Sequence, residues 1–388
     1  MESRSTVVLF GGIASMIVAM GIGRFAFTPI LPMMIDHDLF TATGAGYIAS
    51  SNYLGYLIGA LVLAVFQVKR QSLLLFAGFI FSIATTWGMG QFHSLNAWLL
   101  LRFVSGLASA AVFVISSSIV MNRLSETQVG IFYGGVGAGL LLTGISVPLL
   151  APNGDWIHAW KGLGWISLLI GVAACYALRS RQKVTIASNS QPAPNSSNIR
   201  RILIWLVVAY GLEGLGYIVT GTYLVAFAKT VSNIPNISTL SWSIAGIAAM
   251  ASCVGWSLLA LRWGKKWTLT FAMLLQSIGI AIPVVIPSST GVILGTILFG
   301  GTFMGITMLF VAYAKDLYPH NNKSIIGLLT TFFGLGQIIG PLIAGVMISG
   351  NGSYLSALIG AAFIVLLGAI SLPLGIGRAD RSISKLRA

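Results

Sequence analysis

Three ionisable residues sit deep inside otherwise apolar stretches of this 388-residue sequence: Arg24, Arg102 and Glu213. A guanidinium is always charged and presents a planar fork that fits a carboxylate or a phosphate, so Arg24 reads as an anchor for an anionic solute. The competing reading is a packing arginine satisfied by backbone carbonyls or by Glu213. Glu213 reads as a proton-coupling group. Burial favours its neutral form, a nearby guanidinium favours the charged form, and a solute competing for that guanidinium would change which prevails. A permanent Arg24–Glu213 ion pair is the alternative. Arg102 is a second candidate for proton coupling, against a role in hydrogen-bonding helix ends.

Polar and aromatic residues recur around these three at helical spacing. Tyr210, Glu213, Tyr217, Thr220 and Leu224 form one stripe, and Arg24, Phe27, Thr28 and Leu31 a second. Asn52 with Tyr56, and Gln337 with Thr330 and Phe333, add two more. Rings with a few amides and hydroxyls suit a small, partly apolar organic molecule with one anionic group. Arg24, Thr28, Asn52, Tyr217 and Gln337 are therefore the expected substrate contacts. Hydrogen bonding between helices accounts for the same Thr, Asn and Gln residues without a ligand.

Other chemistries find no residues to carry them. The four His stand singly at 37, 93, 158 and 320, and the two Cys, Cys175 and Cys253, lie within apolar runs. No disulfide framework, metal site or haem attachment follows from such spacing. The glycine-rich runs have neither a preceding strand nor a Lys-Ser/Thr partner, so no nucleotide loop is encoded. With no HExxH, no intramembrane Asp pair and no His within a span, a membrane enzyme is not expected, nor is a cofactor.

The elements that position the three residues follow from composition. Hydrophobic residues make up 56% of the chain and only 8% are charged, against about 25% charged in a soluble domain. Reading for roughly 20 apolar residues, the length of a membrane-crossing helix, yields twelve spans: 7–33, 43–66, 72–91, 96–121, 127–150, 160–178, 202–228, 237–261, 267–286, 291–314, 325–348 and 353–375. The first is too long for a signal-peptide core and lacks a cleavage site, so it is expected to stay as an anchor. With both termini cytoplasmic, 18 Lys and Arg fall on inner connections and two, Lys161 and Lys229, on outer ones. The +14 net charge thus reflects topology and contact with anionic headgroups, and nucleic acid is not an expected partner.

The longest polar connection, 179–201, reads as a cytoplasmic linker between an N-terminal six-helix bundle, 1–178, and a C-terminal one with a short tail, 202–388. The halves look related. GALVLAVFQVKR at 59–70 and GWSLLALRWGKK at 255–266 place Gly59 with Gly255, Leu63 with Leu259 and Lys69–Arg70 with Lys265–Lys266. VAMG at 18–21 recurs as VAYG at 208–211. Repeats of this kind let many secondary transporters hold a substrate at mid-bilayer between halves that rock.

Four signatures resemble the major facilitator superfamily over nearly the whole chain. LALRWGKK at 259–266 is similar to its basic inner-loop motif, with Leu261 where the family usually has Asp; the first-half copy has Val65 there and Val68 in place of Gly. Arg102-x-x-x-Gly106 is similar to the Arg-Gly motif of many proton-coupled members. Gly327, Gly336, Gly340-Pro341 and Ala344-Gly345 resemble the Gly-Pro motif that antiporters carry on helix 5; here span 5 has only Gly135, Gly144 and Pro148. GIGRFAFTPILP (21–32), GLGYIVTGTYL (214–224) and GLGQIIGPLIAG (334–345) resemble the YbfB/YjiJ branch.

The resemblance implies the major facilitator fold, all-α with twelve transmembrane helices in two six-helix bundles, with spans 1, 4, 7 and 10 lining a central cavity. The expected protein is a monomeric secondary active transporter in a bacterial plasma membrane, the inner membrane in a Gram-negative cell. Its expected partners are a small-molecule substrate, protons and the lipid bilayer. A passive facilitator, a multidrug-type effluxer and a non-transporting sensor of the same fold are the alternatives. Substrate identity and the direction of transport do not follow from the residues.

Overall fold

The computed structural model describes residues 2–66, 70–179, 197–231, 237–317 and 322–376. All regular structure among them is helical. The first half contains α1 (Glu2–Met16), α2 (Phe27–Asp36), α3 (Ala42–Val65), α4 (Gln71–Met89), α5 (Leu95–Met121), α6 (Glu126–Leu150) and α7 (Trp156–Ala177). The second contains α8 (Ser197–Val231), α9 (Ile237–Trp263), α10 (Lys265–Val285), α11 (Ser289–Leu317), α12 (Asn322–Asn351) and α13 (Tyr354–Ile376). Twelve segments are long and apolar enough to cross a membrane, from Ser5–Asp36 to Tyr354–Gly375. They match the expected spans to within a few residues. Helices are the open-chain solution in lipid, because each satisfies its own backbone where no water can. Large apolar side chains such as Leu169 and Val285 are left 74% and 76% exposed, as a lipid-facing surface requires. Most of the expected linker, 180–196, lies outside the described residues; from Ser197 the chain is already α8.

The first span is not one continuous α-helix. After α1 the chain widens into a π-helical stretch, Ile17–Ile22, and then passes through turns at 23–26, which keep helical φ/ψ at Gly23 and Ala26 but lose the regular hydrogen-bond ladder, before α2. Gly23 N–H bonds back five residues to the Val18 carbonyl (2.8 Å) and Phe25 N–H to the Met20 carbonyl (3.0 Å). The cause lies downstream. Pro29, in the first turn of α2, has no N–H for the Phe25 carbonyl, and its ring clashes with that carbonyl in a regular helix. The interruption therefore falls one turn before the prolines, at 23–26.

Small residues set how closely the helices approach. Gly55 lies against the Phe103 carbonyl and Gly106 against the Asn52 carbonyl, which clamps α3 to α5. Across the halves, Gly46 meets the Pro341 carbonyl and Gly345 the Ala42 carbonyl, joining α3 to α12. The α6–α9 seam tightens along its length. A Cβ on Gly130 would come within 3.9 Å of Val254, on Gly134 within 3.5 Å of the Met250 carbonyl, and on Gly137 within 2.6 Å of the Gly246 carbonyl. Gly144, further along α6, presses on Ser243. The halves therefore converge toward the face that holds the α2–α3 connection, the distal face, and diverge toward the face where α1 begins.

Hydrogen bonds between the halves fall on the same side. Thr28 donates to the Gly221 carbonyl (2.5 Å), Ser50 to the Ile338 carbonyl (2.6 Å) and Tyr223 to the Ala42 carbonyl (2.9 Å). Thr43 pairs with Ser349 (2.9 Å), and Lys229 forms an ion pair with Asp36 at the distal rim.

Candidate functional site

Arg24 projects from the interruption in the first span and is 3% exposed. Its NH2 donates to Gln337 Oε1 of α12 (2.6 Å), and Gln337 Nε2 donates to the Tyr217 hydroxyl of α8. One guanidinium edge thus reaches two helices of the opposite half. The cation lies over the rings of Tyr56 (4.3 Å) and Tyr53 (4.9 Å), both on α3. Such contacts soften the cost of burying the charge but do not neutralise it. No carboxylate pairs with Arg24 among the described residues, and its Nε has no hydrogen-bond partner. The alternative of an Arg24–Glu213 ion pair is overturned.

Arg102 is 1% exposed and turned toward the backbone of the interruption. Its NH1 donates to the Gly23 carbonyl and its NH2 to the Arg24 carbonyl, both at 2.8 Å. Ser105, one turn along α5, also donates to the Gly23 carbonyl (2.7 Å), and Ser109 donates to the Ala19 carbonyl (2.7 Å). The Asn52 amide donates to the Arg102 carbonyl (3.0 Å). Arg102, Ser105 and Ser109 take up carbonyls that the lost helical ladder would otherwise leave buried and unpaired. Arg102 thereby holds the segment that carries Arg24.

Glu213 is 1% exposed and lies on α8, one turn before Tyr217. Its side chain lies within interaction range of the Gln276 amide of α10, inside the C-terminal set of helices. An aromatic ladder runs beside it. Tyr210 stacks between Phe310 (4.3 Å) and Phe333 (4.2 Å), and Tyr217 lies nearly parallel to Phe333 (8°) and Phe303 (9°). Phe25 meets Phe303 and Trp242 edge-on across the halves.

Of the expected substrate contacts, Arg24, Tyr217 and Gln337 come together. Thr28 clasps α8 one turn toward the distal face. Asn52 sits behind the backbone, facing Arg102, with its Oδ1 unpaired. Ser105 and Ser109 were not singled out in the sequence, although their spacing of three and seven from Arg102 puts them on its helix face. Gln276 was also missed; a lone amide in an apolar helix was its one signal.

Twelve spanning helices in two sets of six, meeting at a buried guanidinium, define a polytopic membrane protein of the major facilitator fold. The chain belongs to the family of the uncharacterised MFS-type transporter YbfB, whose model matches residues 16–372. It is an integral membrane protein, and its family is one of MFS-type transporters. An uncharacterised MFS-type transporter, YcaD, from Escherichia fergusonii is 24% identical over 225 residues, which cover 55% of this chain and 57% of that protein. Azole resistance protein 1 of Saccharomyces cerevisiae is 26% identical over 183 residues, 44% of this chain and 28% of its own length. The matched region spans about half or less of these relatives. Among solved structures, a point mutant of the nucleoside transporter NupG superposes with a TM-score of 0.75 at 14% identity, covering 94% of this chain and 98% of that one. That likeness establishes the fold.

Proposed function

We propose that the protein is a secondary active transporter of a small organic anion, working by alternating access with Arg24 as anion anchor and Glu213 as proton-coupling group. The observation that carries this reading is the Arg24 guanidinium: buried, facing no carboxylate, and held across the halves by the Gln337 carbonyl. A charge inside a span costs about 2.5–3.5 kcal/mol even on the lenient insertion scale. A neutral amide repays only part of that cost. A carboxylate opposes the guanidinium with a full negative charge and accepts two N–H bonds in a bidentate fork, which a single amide oxygen cannot, so an arriving anion would displace Gln337 Oε1. Binding would then loosen the Gln337–Tyr217 link and alter the contact between halves. Arg102, with both terminal nitrogens committed to backbone carbonyls, is proposed as a positioning residue in place of the coupling role expected from its motif.

The distribution of basic residues supports cytoplasmic termini in a plasma membrane. The sealed distal face is then external, and the splayed α6–α9 seam supports a conformation directed inward. The division at 179–201 into two rocking bundles is part of the same proposal.

The test uses the full-length protein in liposomes with an anion chosen by thermal-shift screening. An imposed proton gradient should drive its net flux. Glu213→Gln should abolish driven flux but leave exchange of labelled for unlabelled anion. Driven flux that persists unchanged in Glu213→Gln contradicts the coupling role, and flux that never exceeds equilibration in the wild type marks a passive facilitator.

A further inference from the structure

Glu213 and Gln276 form a second buried polar pair, apart from the guanidinium. Gln276 is fully buried and Glu213 nearly so. They lie within interaction range, yet Glu213 Oε2 and both ends of the Gln276 amide close no hydrogen bond of ordinary geometry among the described residues. Unsatisfied buried polar atoms cost about 1–3 kcal/mol each. A polar pair left this way inside a bundle of apolar helices is not explained by packing.

The surroundings restrict what the pair can bind. The titratable groups that interact with Glu213 are the phenols of Tyr210 and Tyr217, one turn away on either side along α8. The helices packed on α8 carry their charges near their ends: Asp36 on α2, Arg262 on α9, Lys265 and Lys266 on α10, Lys315 and Asp316 on α11, and Lys323 on α12. The α13 sequence has none. Lys266 is about 15 Å from Gln276 along the helix axis. Arg24 interacts with Tyr217 but forms no ion pair with Glu213. One carboxylate and one amide are too few oxygens for Ca2+ or Mg2+, which take six or more. A proton needs only one.

The partner's chemistry then matters. A Lys or Arg at position 276 would pin the carboxylate in its charged form, and a Leu would hold it neutral. An amide serves both states, because Oε1 accepts from a protonated carboxyl and Nε2–H donates to a carboxylate. We infer that Gln276 is the switching partner of a proton-binding site at Glu213, and that this site communicates with Arg24 through Tyr217 instead of by direct contact. Tyr217 is placed to carry that communication, since it follows Glu213 by one helical turn and Gln337 links its hydroxyl to the guanidinium. The inference rests on the proton-coupled reading above and adds the group that makes Glu213 able to cycle.

Infrared difference spectroscopy of the full-length protein in liposomes, titrated from acid to alkaline pH without substrate, tests it. The wild type should show the carbonyl band of a buried protonated carboxyl that disappears on alkalinisation. Glu213→Gln should lack the band. Gln276→Leu should retain it at a pH where the wild type has lost it, and at higher frequency because hydrogen bonds to the carbonyl are gone. Gln276→Lys should lose it already at neutral pH. Gln276→Asn, a shorter amide, supplies a milder variant and should fall between wild type and Gln276→Leu. A band that survives Glu213→Gln, or that titrates identically in the wild type, Gln276→Leu and Gln276→Asn, overturns the inference. A Gln276-dependent band without any gradient-driven flux would contradict the transport reading while leaving the proton site intact.

Discussion

The first span and α8 face each other across the middle of the molecule and differ where their sequences should correspond. Setting VAMG at 18–21 against VAYG at 208–211 pairs Gly23 with Glu213, Pro29 with Val219 and Pro32 with Thr222. In the first copy, Pro29 leaves the Phe25 carbonyl without its regular donor, and just before it Arg102 and Ser105 donate to the Gly23 and Arg24 carbonyls. In the second, Val219 and Thr222 let α8 run unbroken from Ser197 to Val231. One copy therefore presents a charge on an irregular segment fixed by several donors. The other presents a carboxyl on a continuous helix beside an amide that does not hold it. A fixed anchor suits recognition of a constant charge, and a loosely partnered carboxyl suits a group that gains and loses a proton.

Three changes would break or sharpen that contrast. The largest effect is expected from Arg102→Leu, which leaves the buried Arg24 carbonyl without its side-chain donor, at about 1–3 kcal/mol, while the Gly23 carbonyl keeps Ser105. Thermal unfolding in nanodiscs should show a loss of several degrees, and Arg102→Lys should recover part of it. An unchanged melting temperature would contradict the positioning role. Next comes the double replacement Pro29→Val, Pro32→Thr, which gives the first copy the residues of the second. It should extend regular helix through 23–32, slow amide exchange there by about tenfold, and weaken anion binding. Exchange as fast as in the wild type would mean that the prolines do not cause the interruption. The smallest effect belongs to the rim. Asp36→Lys opposes two exposed cations and should shift the balance of the halves by less than about 1 kcal/mol. Adding Lys229→Asp should restore it, and high salt should mask it. Distances between spin labels on the distal ends of α3 and α12 would report the shift.

Much of the architecture was legible because lipid imposes a length. Twelve apolar runs became twelve spans with boundaries displaced by a few residues. Position within a span was harder to read. Pro29 is visible in the sequence, but a proline disturbs the carbonyl four residues before it, so the interruption falls at Gly23–Ala26. Gly55 with Gly59 and Gly336 with Gly340 are close-packed, whereas Gly130 and Gly134, at the same spacing, are loosely packed. Whether a glycine pair closes depends on how the halves are tilted, which no local pattern encodes. Helical spacing also grouped Glu213 with Tyr217, although residues one turn apart diverge enough to meet different helices. Tyr217 meets Gln337 of α12 and Glu213 meets Gln276 of α10. Arg102 carried a motif, but its partners are backbone atoms that have no signature in side-chain identity.

The central claim is that the Arg24 guanidinium receives an anionic solute in place of the Gln337 carbonyl. Thermal-shift titration of the wild type and Arg24→Gln with matched panels of organic monocarboxylates, neutral sugars and organic cations tests it most directly. At least one carboxylate should stabilise the wild type in a saturable manner and have its affinity reduced roughly 10- to 100-fold in Arg24→Gln, the loss expected for a hydrogen bond to a charged group. Stabilisation of the wild type by cations or sugars alone, or a carboxylate response undiminished in Arg24→Gln, would contradict it.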